Sequence, residues 1–279
     1  MNGRVYLVGA GPGDPELLTL KALRVLEAAD LLLHDDLVPP GVLALASPAA
    51  IVLNVGKRCG RKGTSQEEIH QLMVSRARSG YTVARLHGGD PLIFGRAGEE
   101  MSALREAGVD FEVVPGVTSA LAAAASAGVA LTERRIASSV VFTTGHHCAR
   151  AGQAESSGLL PEGLAADSTV VVYMPTNLAL IAAELRASGW DAETPCLLVS
   201  NGSLPSEEIS LTTLGSLPDV TPLASPRLLI IGGVAKPLMP KDSTVAGKEA
   251  GVVSVSACPR ASAAFPQRGS ANPGPWPCR

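Results

Sequence analysis

Short apolar runs alternate with amphipathic segments through the first 115 residues of the chain. The runs have the length and β-branched content of strands: Val5–Gly9, Asp30–Asp35, Ile51–Val55, Thr82–His87 and Phe111–Pro115. The segments between them predict helices at Glu16–Ala29, Gly41–Ala46, Ser65–Ser79 and Gly95–Ala107. This alternation predicts right-handed crossovers and a mostly parallel sheet, in which ligands bind outside the carboxyl ends of the strands.

The pattern changes after Pro115. Strands are predicted at Ser138–Thr144, Thr169–Met174, Pro195–Ser200, Ile209–Thr213 and Arg227–Gly232, with helices at Ser119–Ala127 and Leu178–Ser188. Several of these strands follow each other without a helix, which indicates a mixed sheet. We therefore expect an α/β fold with two α/β domains, residues 1–115 and 116–245. Residues 246–279 are rich in Gly, Ser, Ala and Pro and predict a disordered tail.

Composition narrows the class of protein. The net charge of the 279 residues is −3 and aromatic residues make up only 3%, which disfavours a nucleic-acid or membrane-surface partner. The five cysteines have no C-x-x-C spacing, as is typical of reduced thiols in the cytosol. No secretory signal precedes the first strand, and no apolar stretch is long enough to span a membrane. We expect a cytoplasmic protein.

Two glycine loops follow predicted strands. The first, Gly9–Asp14, resembles the dinucleotide fingerprint, but Asp14 stands where the third glycine would fall, and Pro12 has no N–H to offer a phosphate. Asp14 is instead predicted to be the N-cap of a helix, with Pro15 at the first helical position. The second loop, Gly88–Asp90, follows another strand. Two such loops at one sheet edge favour a ligand cleft.

Charged residues near this edge leave several interpretations open. Asp35 and Asp36 end the second strand, where an acid can bind a ribose, cap a helix or act as a general base. The spacing does not choose among these. Basic residues near the edge form either a solvated surface or a field that recruits an anionic substrate: Lys57, Arg58, Arg61 and Lys62, with Arg85, Arg96, Arg134 and Arg135 as an extension.

Metal and thiol chemistry are not expected. His146, His147 and Cys148 are adjacent in sequence and have no second ligand pair at zinc-site spacing. Cys59 has no recognisable base partner and is interpreted as a bystander thiol. We predict no metal site.

Five ordered blocks, spread over about residues 4–237, resemble the tetrapyrrole methylase family: Val8–Asp14, Val55–Arg58, Gln66–Ile69, Gly88–Pro91 with Phe94–Arg96, and Val114–Ser119. The resemblance implies two α/β domains with S-adenosylmethionine held in the cleft between them, and a homodimer. It also implies methyl transfer to C2 and C7 of uroporphyrinogen III, which gives precorrin-2 for sirohaem or cobalamin synthesis.

The resemblance also assigns roles to residues. Asp35 matches the family's proposed proton acceptor and Lys57 its proposed proton donor. The implied cofactor contacts are Pro12, Gly88, Gly89, Asp90, Ile93, Thr118, Ser119, Met174 and Gly202.

Alternative functions are methylation of a corrin ring, NAD-dependent oxidation, and tetrapyrrole binding without catalysis.

Three positions depart from the residues usual in that family. Asp36 stands where relatives often have arginine, His34 where they often have tyrosine, and His87 where they often have lysine. Because the proposed substrate carries eight carboxylates, an anion at Asp36 and a lost cation at His87 are expected to weaken its binding. An arginine in place of Asp36 is expected to tighten that binding and leave the cofactor affinity unchanged.

Overall fold

The computed structural model describes residues 3–56, 64–145, 158–221 and 223–239, and its first half is built on a parallel sheet. The strands are β1 (Arg4–Gly9), β2 (Leu31–His34), β3 (Ile51–Asn54), β4 (Thr82–His87) and β5 (Phe111–Val114), in the order β3-β2-β4-β1-β5. All neighbours are parallel, as the alternating pattern predicts. One face is covered by α1 (Leu20–Ala28) and α2 (Pro40–Leu43), the other by α3 (Gln66–Arg78) and α4 (Ala97–Glu106).

The second half carries a mixed sheet. Its strands are β6 (Ser139–Thr144), β7 (Ser168–Tyr173), β8 (Pro195–Ser200), β9 (Glu208–Thr213) and β10 (Arg227–Ile231), in the order β6-β7-β10-β8-β9. Only the β6–β7 pair is parallel. Helix α5 (Ser119–Ala127) packs on one face and α6 (Leu178–Ala187) on the other, so β7, β8 and β10 are buried on both sides. The predicted fold class, with a parallel and a mixed sheet, is confirmed.

The start of the first helix differs from the prediction of a single helix over Glu16–Ala29. A short 3-10 helix spans Pro15–Leu17, and Asp14 caps it by accepting the Glu16 N–H at 2.9 Å. The chain is extended at Leu18, and α1 begins only after Thr19, whose hydroxyl accepts the Ala22 N–H at 3.1 Å. The prediction was wrong because Thr19 supplies a second cap. The glycine loop therefore does not lead directly into an α-helix, as a pyrophosphate site requires.

The predictions on the domain boundary and on the C-terminal tail remain predictions. The division into domains at residue 115 is a prediction, and the tail over residues 246–279 lies outside the described residues, as do His146, His147, Cys148 and Cys59. In the described part of the chain no helix is long and apolar enough to cross a bilayer. Within the same residues, no group of three or more His, Cys, Asp or Glu side chains is arranged to hold a metal ion.

Candidate functional site

Three glycines bring the loops after β1, β4 and β5 into backbone contact. A Cβ on Gly9 would lie 2.5 Å from the Gly116 nitrogen and 2.8 Å from the Gly89 oxygen, and one on Gly116 would lie 2.4 Å from the Gly89 oxygen. Gly11 and Gly89 also form an antiparallel bridge, with N–H···O distances of 3.2 and 2.7 Å. Only glycine allows backbones to approach this closely. The two predicted loops therefore meet at one sheet edge.

Asp90 fixes the second loop to the third. Its Oδ1 accepts the Leu92 N–H at 2.8 Å, and its Oδ2 accepts the Gly116 N–H at 2.9 Å. The side chain is buried. Both carboxylate oxygens thus bind backbone groups, so Asp90 shapes the loop whatever ligand the loop contacts.

The loop after β1 contacts the second half of the molecule. The Asp14 N–H donates to the Ser203 hydroxyl at 3.3 Å. A Cβ on Gly13 would lie 2.6 Å from a methyl group of Leu204, so this glycine is pressed against that side chain. The loop after β8, which includes Gly202, therefore closes over the first glycine loop.

Tyr173, at the end of β7, forms a second contact between the two halves, because its ring centroid lies 4.9 Å from that of Phe94. Within the second half, its hydroxyl and the Thr118 hydroxyl are 2.7 Å apart. Ile93 packs against the same core of the mixed sheet. Burial raises the pKa of the Tyr173 phenol above its usual value, with the hydrogen bond to Thr118 opposing that shift only in part. The phenol is therefore a neutral hydrogen-bonding group at neutral pH.

The predicted cofactor residues lie around this junction. A Cβ on Gly89 would lie 3.7 Å from both Thr118 Cα and Ser119 N. The loop Gly88–Asp90 therefore lies against the start of α5. Met174 follows Tyr173 with a positive φ of 50° and is 48% exposed. The remaining three, Pro12, Ile93 and Gly202, lie on the loops already described. Their contacts with a ligand stay predictions.

Asp35 lies at the same sheet edge, at the end of β2. Its Oδ1 accepts a hydrogen bond from Arg85 Nη2 at 2.6 Å, and its side chain is 32% exposed. Arg85 is on the neighbouring strand β4 and is almost fully buried. The carboxylate is thus anchored from within the protein and open on its outer side.

Behind Asp35 lies a buried polar cluster. Glu100, on α4, accepts from Arg85 Nε at 3.0 Å and contacts His87 Nε2 at 2.9 Å, and its side chain has no exposed surface. Burial alone would raise the pKa of Glu100, but the hydrogen bond from His87, the positive charge of that ring when it is protonated, and the interactions with Arg85 together hold the pKa below its usual range. Glu100 is therefore a carboxylate.

One prediction for this region is wrong. Arg85 does not extend a surface field for anions, because it is 3% exposed and pairs with Asp35 and Glu100. His87 is also buried, against Glu100, and the effect of its replacing a lysine on substrate binding stays a prediction. The signal for this cluster was in the sequence: Val83, Arg85 and His87 alternate on one face of a strand, and a charged residue there needs a buried partner.

The other titratable residues singled out from the sequence are partly or fully buried, lie at the surface, or lie outside the described residues. Asp36 Oδ1 accepts from Asn54 Nδ2 at 2.7 Å, which ties the end of β2 to the end of β3. His34 is buried, and its Nδ1 lies 2.9 Å from the Asp35 carbonyl oxygen. Arg96 is half-exposed and forms a bidentate ion pair with Glu99. Lys57 and the rest of its basic cluster, Arg58, Arg61 and Lys62, lie outside the described residues.

The sequence matches a family model over most of its length. The family model described as Tetrapyrrole (Corrin/Porphyrin) Methylases matches residues 4–218. The chain belongs to the tetrapyrrole methylase family. The match covers the parallel sheet and most of the mixed sheet.

Several relatives are named for one reaction. The chain is 44% identical over 244 residues to a uroporphyrinogen-III C-methyltransferase of Pseudomonas aeruginosa, covering 86% of this chain and 97% of that one. It is 46% identical over 247 residues to a chloroplastic S-adenosyl-L-methionine-dependent uroporphyrinogen III methyltransferase of Arabidopsis thaliana. That match covers 85% of this chain and 66% of the Arabidopsis protein. It spans about half the length of the siroheme synthases it matches, 50% in one case.

A solved structure has the same fold. The uroporphyrin-III C-methyl transferase of Thermus thermophilus, complexed with S-adenyl homocysteine, superposes with a TM-score of 0.70 at 42% identity. The superposition covers 84% of this chain and 99% of that one. This tetrapyrrole methylase and the present chain therefore share their fold over nearly the whole of the solved chain.

Proposed function

We propose that this protein transfers methyl groups from S-adenosylmethionine to C2 and C7 of uroporphyrinogen III and so makes precorrin-2. One observation carries the proposal: the chain is 44% identical to the Pseudomonas uroporphyrinogen-III C-methyltransferase across 97% of that enzyme. The product would serve sirohaem or cobalamin synthesis, in agreement with the match to siroheme synthases.

The junction between the two sheets supports S-adenosylmethionine as the methyl donor. The loops Gly9–Asp14 and Gly88–Asp90 allow close backbone approach and carry no basic side chain, which suits a ligand without phosphate. Apolar side chains at Ile93 and Met174 offer a surface for the uncharged part of such a ligand. When bound, this donor supplies an electrophilic methyl group on sulfur. We propose contacts from Pro12, Gly88, Gly89, Asp90, Ile93, Thr118, Ser119, Met174 and Gly202.

The chain's own residues would orient the macrocycle and handle its proton. An electron-rich pyrrole carbon needs only to be held in line with the methyl group, so orientation in a water-poor cleft supplies much of the rate. Methylation leaves a cationic ring that must lose a proton, and Asp35 would accept it as a general base. Arg85 fixes the Asp35 carboxylate at 2.6 Å for this task. Lys57 would donate a proton or bind a substrate carboxylate.

The test is an anaerobic incubation of the protein with uroporphyrinogen III and S-adenosylmethionine, followed by mass spectrometry of the tetrapyrrole. We expect a gain of two methyl groups. The Asp35→Asn variant should fold, bind S-adenosylhomocysteine normally and lose about 100-fold or more in kcat. A folded wild-type protein that leaves the tetrapyrrole mass unchanged would contradict the proposal.

Competing functions give different outcomes in the same assay. A corrin-ring methylase would methylate a later precorrin and not uroporphyrinogen III. A tetrapyrrole-binding protein would bind without turnover, and an NAD-dependent oxidoreductase would be stabilised by NAD. The 3-10 helix that separates the first glycine loop from α1 disfavours the last of these.

The assembly and location of the protein are part of the proposal. We propose a homodimer in the cytoplasm, as the family resemblance implies, without nucleic-acid or membrane partners. Light scattering of the purified protein tests the dimer, and a monomer at micromolar concentration would contradict it.

A further inference from the structure

The proposed reaction makes no use of two deeply buried polar side chains in its neighbourhood, His87 and Glu100. The side chains of His87 and Glu100 are 1% and 0% exposed and lie 2.9 Å apart, directly behind Asp35. Burying such groups is costly unless they are fully paired. A pair placed behind the candidate base therefore calls for a role of its own.

The contacts of Glu100 fix the proton on the histidine ring. Glu100 accepts from Arg85 Nε at 3.0 Å and from Gln66 Nε2 at 3.2 Å, and His87 Nε2 approaches its other oxygen at 2.9 Å. A carboxylate has no proton to donate, so the hydrogen on this contact belongs to His87 Nε2. In the neutral ring Nδ1 is then a bare acceptor.

That Nδ1 atom faces the candidate base. It is buried, has no hydrogen-bond partner within the described residues, and lies 3.8 Å from Asp35 Oδ2. The charged groups around the ring are Asp35 on β2, Arg85 on β4 and Glu100 on α4, while α3 contributes the neutral Gln66. Two carboxylates and one guanidinium leave one net negative charge beside the ring, which favours an imidazolium once a proton is delivered to it.

We propose that His87 Nδ1 takes over the proton that Asp35 removes from the methylated macrocycle. The step rests on the proposed function. The Asp35 O–H bond breaks and an N–H bond forms on His87 Nδ1, which restores the Asp35 carboxylate and leaves an imidazolium between two carboxylates. The two atoms need to approach by about 1 Å to form a hydrogen bond.

The proposed reaction gives this transfer a purpose. Each of two methyl transfers releases one proton, so Asp35 must be emptied before it can act again. His87 does not touch the substrate and is a positioning residue that acts through Asp35. The imidazolium then returns its proton to water through Asp35, which is 32% exposed, as the product leaves.

The kinetic test uses His87→Gln, whose amide can still donate to Glu100 but cannot take up a proton. We expect kcat to fall about 10-fold or more, with little change in either KM. His70→Gln is the matched control, since His70 contacts only Gln66 of this cluster at 3.2 Å and should keep the wild-type kcat.

A spectroscopic test on the wild-type protein is independent of turnover. Nitrogen NMR of labelled histidine should show His87 protonated on Nε2 and bare on Nδ1 at neutral pH. A ring protonated on Nδ1, or on both nitrogens, would overturn the relay even if His87→Gln does not fold. Methylation with unaltered His87→Gln kinetics would overturn the relay alone, whereas a wild-type protein without methylation would overturn the proposed function as well.

Discussion

At the scale of single residues, the site is organised around Glu100, a carboxylate without exposed surface that holds Arg85 and His87. We predict that Glu100→Gln lowers the free energy of unfolding by about 3 kcal/mol at neutral pH, because it removes a charge from a buried ion pair. Glu99→Gln, one residue away and half-exposed, should change it by less than about 0.5 kcal/mol. Urea unfolding of the three proteins measures both values.

The same residue predicts a pH dependence. The pKa of Glu100 is lower in the folded protein than its ordinary value of 4.5, so its stabilisation is fully present above that value and is lost as pH falls through the lowered pKa. The stability difference between wild type and Glu100→Gln should therefore be constant near neutral pH and shrink below about pH 4.5. A difference that does not change on acidification would show that Glu100 stabilises by shape alone.

Asp36 allows a test of substrate charge at the residue scale. Asp36→Asn removes the negative charge but keeps an acceptor for the Asn54 side chain. An arginine would lose that hydrogen bond. It would also crowd Gly56, which is so close that a Cβ on it would lie 2.4 Å from the Asp36 nitrogen. We predict about 2- to 5-fold tighter uroporphyrinogen binding in an anaerobic titration, with unchanged S-adenosylhomocysteine affinity. Asp219→Asn, on the exposed far side of the mixed sheet, is the control. An equal gain there would indicate an effect of net charge only.

At the scale of elements, the three loops depend on glycine because their backbones touch. Gly116→Ala places a Cβ 2.4 Å from the Gly89 oxygen, so we predict a loss of about 2–4 kcal/mol in unfolding free energy and weaker S-adenosylhomocysteine binding. Gly98→Ala is the matched control, because nothing lies within 4 Å of its Cβ inside α4. That variant should gain about 0.5–1 kcal/mol. Denaturant unfolding and calorimetry check both, and equal behaviour of the two variants would contradict the close approach.

The elements also show how far the sequence predicts this fold. The spacing of apolar residues and the residues at turns predict the elements of both sheets, because apolar strand runs and capped amphipathic helices are local signals. The break between Pro15–Leu17 and α1 was missed because Asp14 and Thr19 are both good caps, so a helix can begin after either residue. The pairing of Arg85 with Glu100 was missed for a different reason, since the two residues are 15 positions apart on a strand and a helix that the sequence alone does not bring together.

At the scale of the whole molecule, the two sheets meet, among the described residues, through a few contacts at the edge where the candidate site lies. Asp14 binds Ser203, the Phe94 ring contacts Tyr173, and Ile93 packs into the core of the mixed sheet. Elements joined by few contacts open at low free energy, and a ligand that bridges them closes that opening. Ligand binding at this junction should therefore slow local opening in both halves, not only in the loops after β1 and β4.

This gives a prediction that tests the two assignments in the second half, Met174 and Gly202. At 100 times its Kd, S-adenosylhomocysteine should stabilise the protein by about 2.7 kcal/mol. Hydrogen exchange should slow in Gly11–Asp14 and Gly88–Asp90, and equally in the segments around Met174 and Gly202. The same concentration of NAD should slow neither set, because no α-helix follows the first loop directly to bind a pyrophosphate. Protection confined to the first two segments would show that the ligand binds the parallel sheet alone, and that Met174 and Gly202 are not contacts.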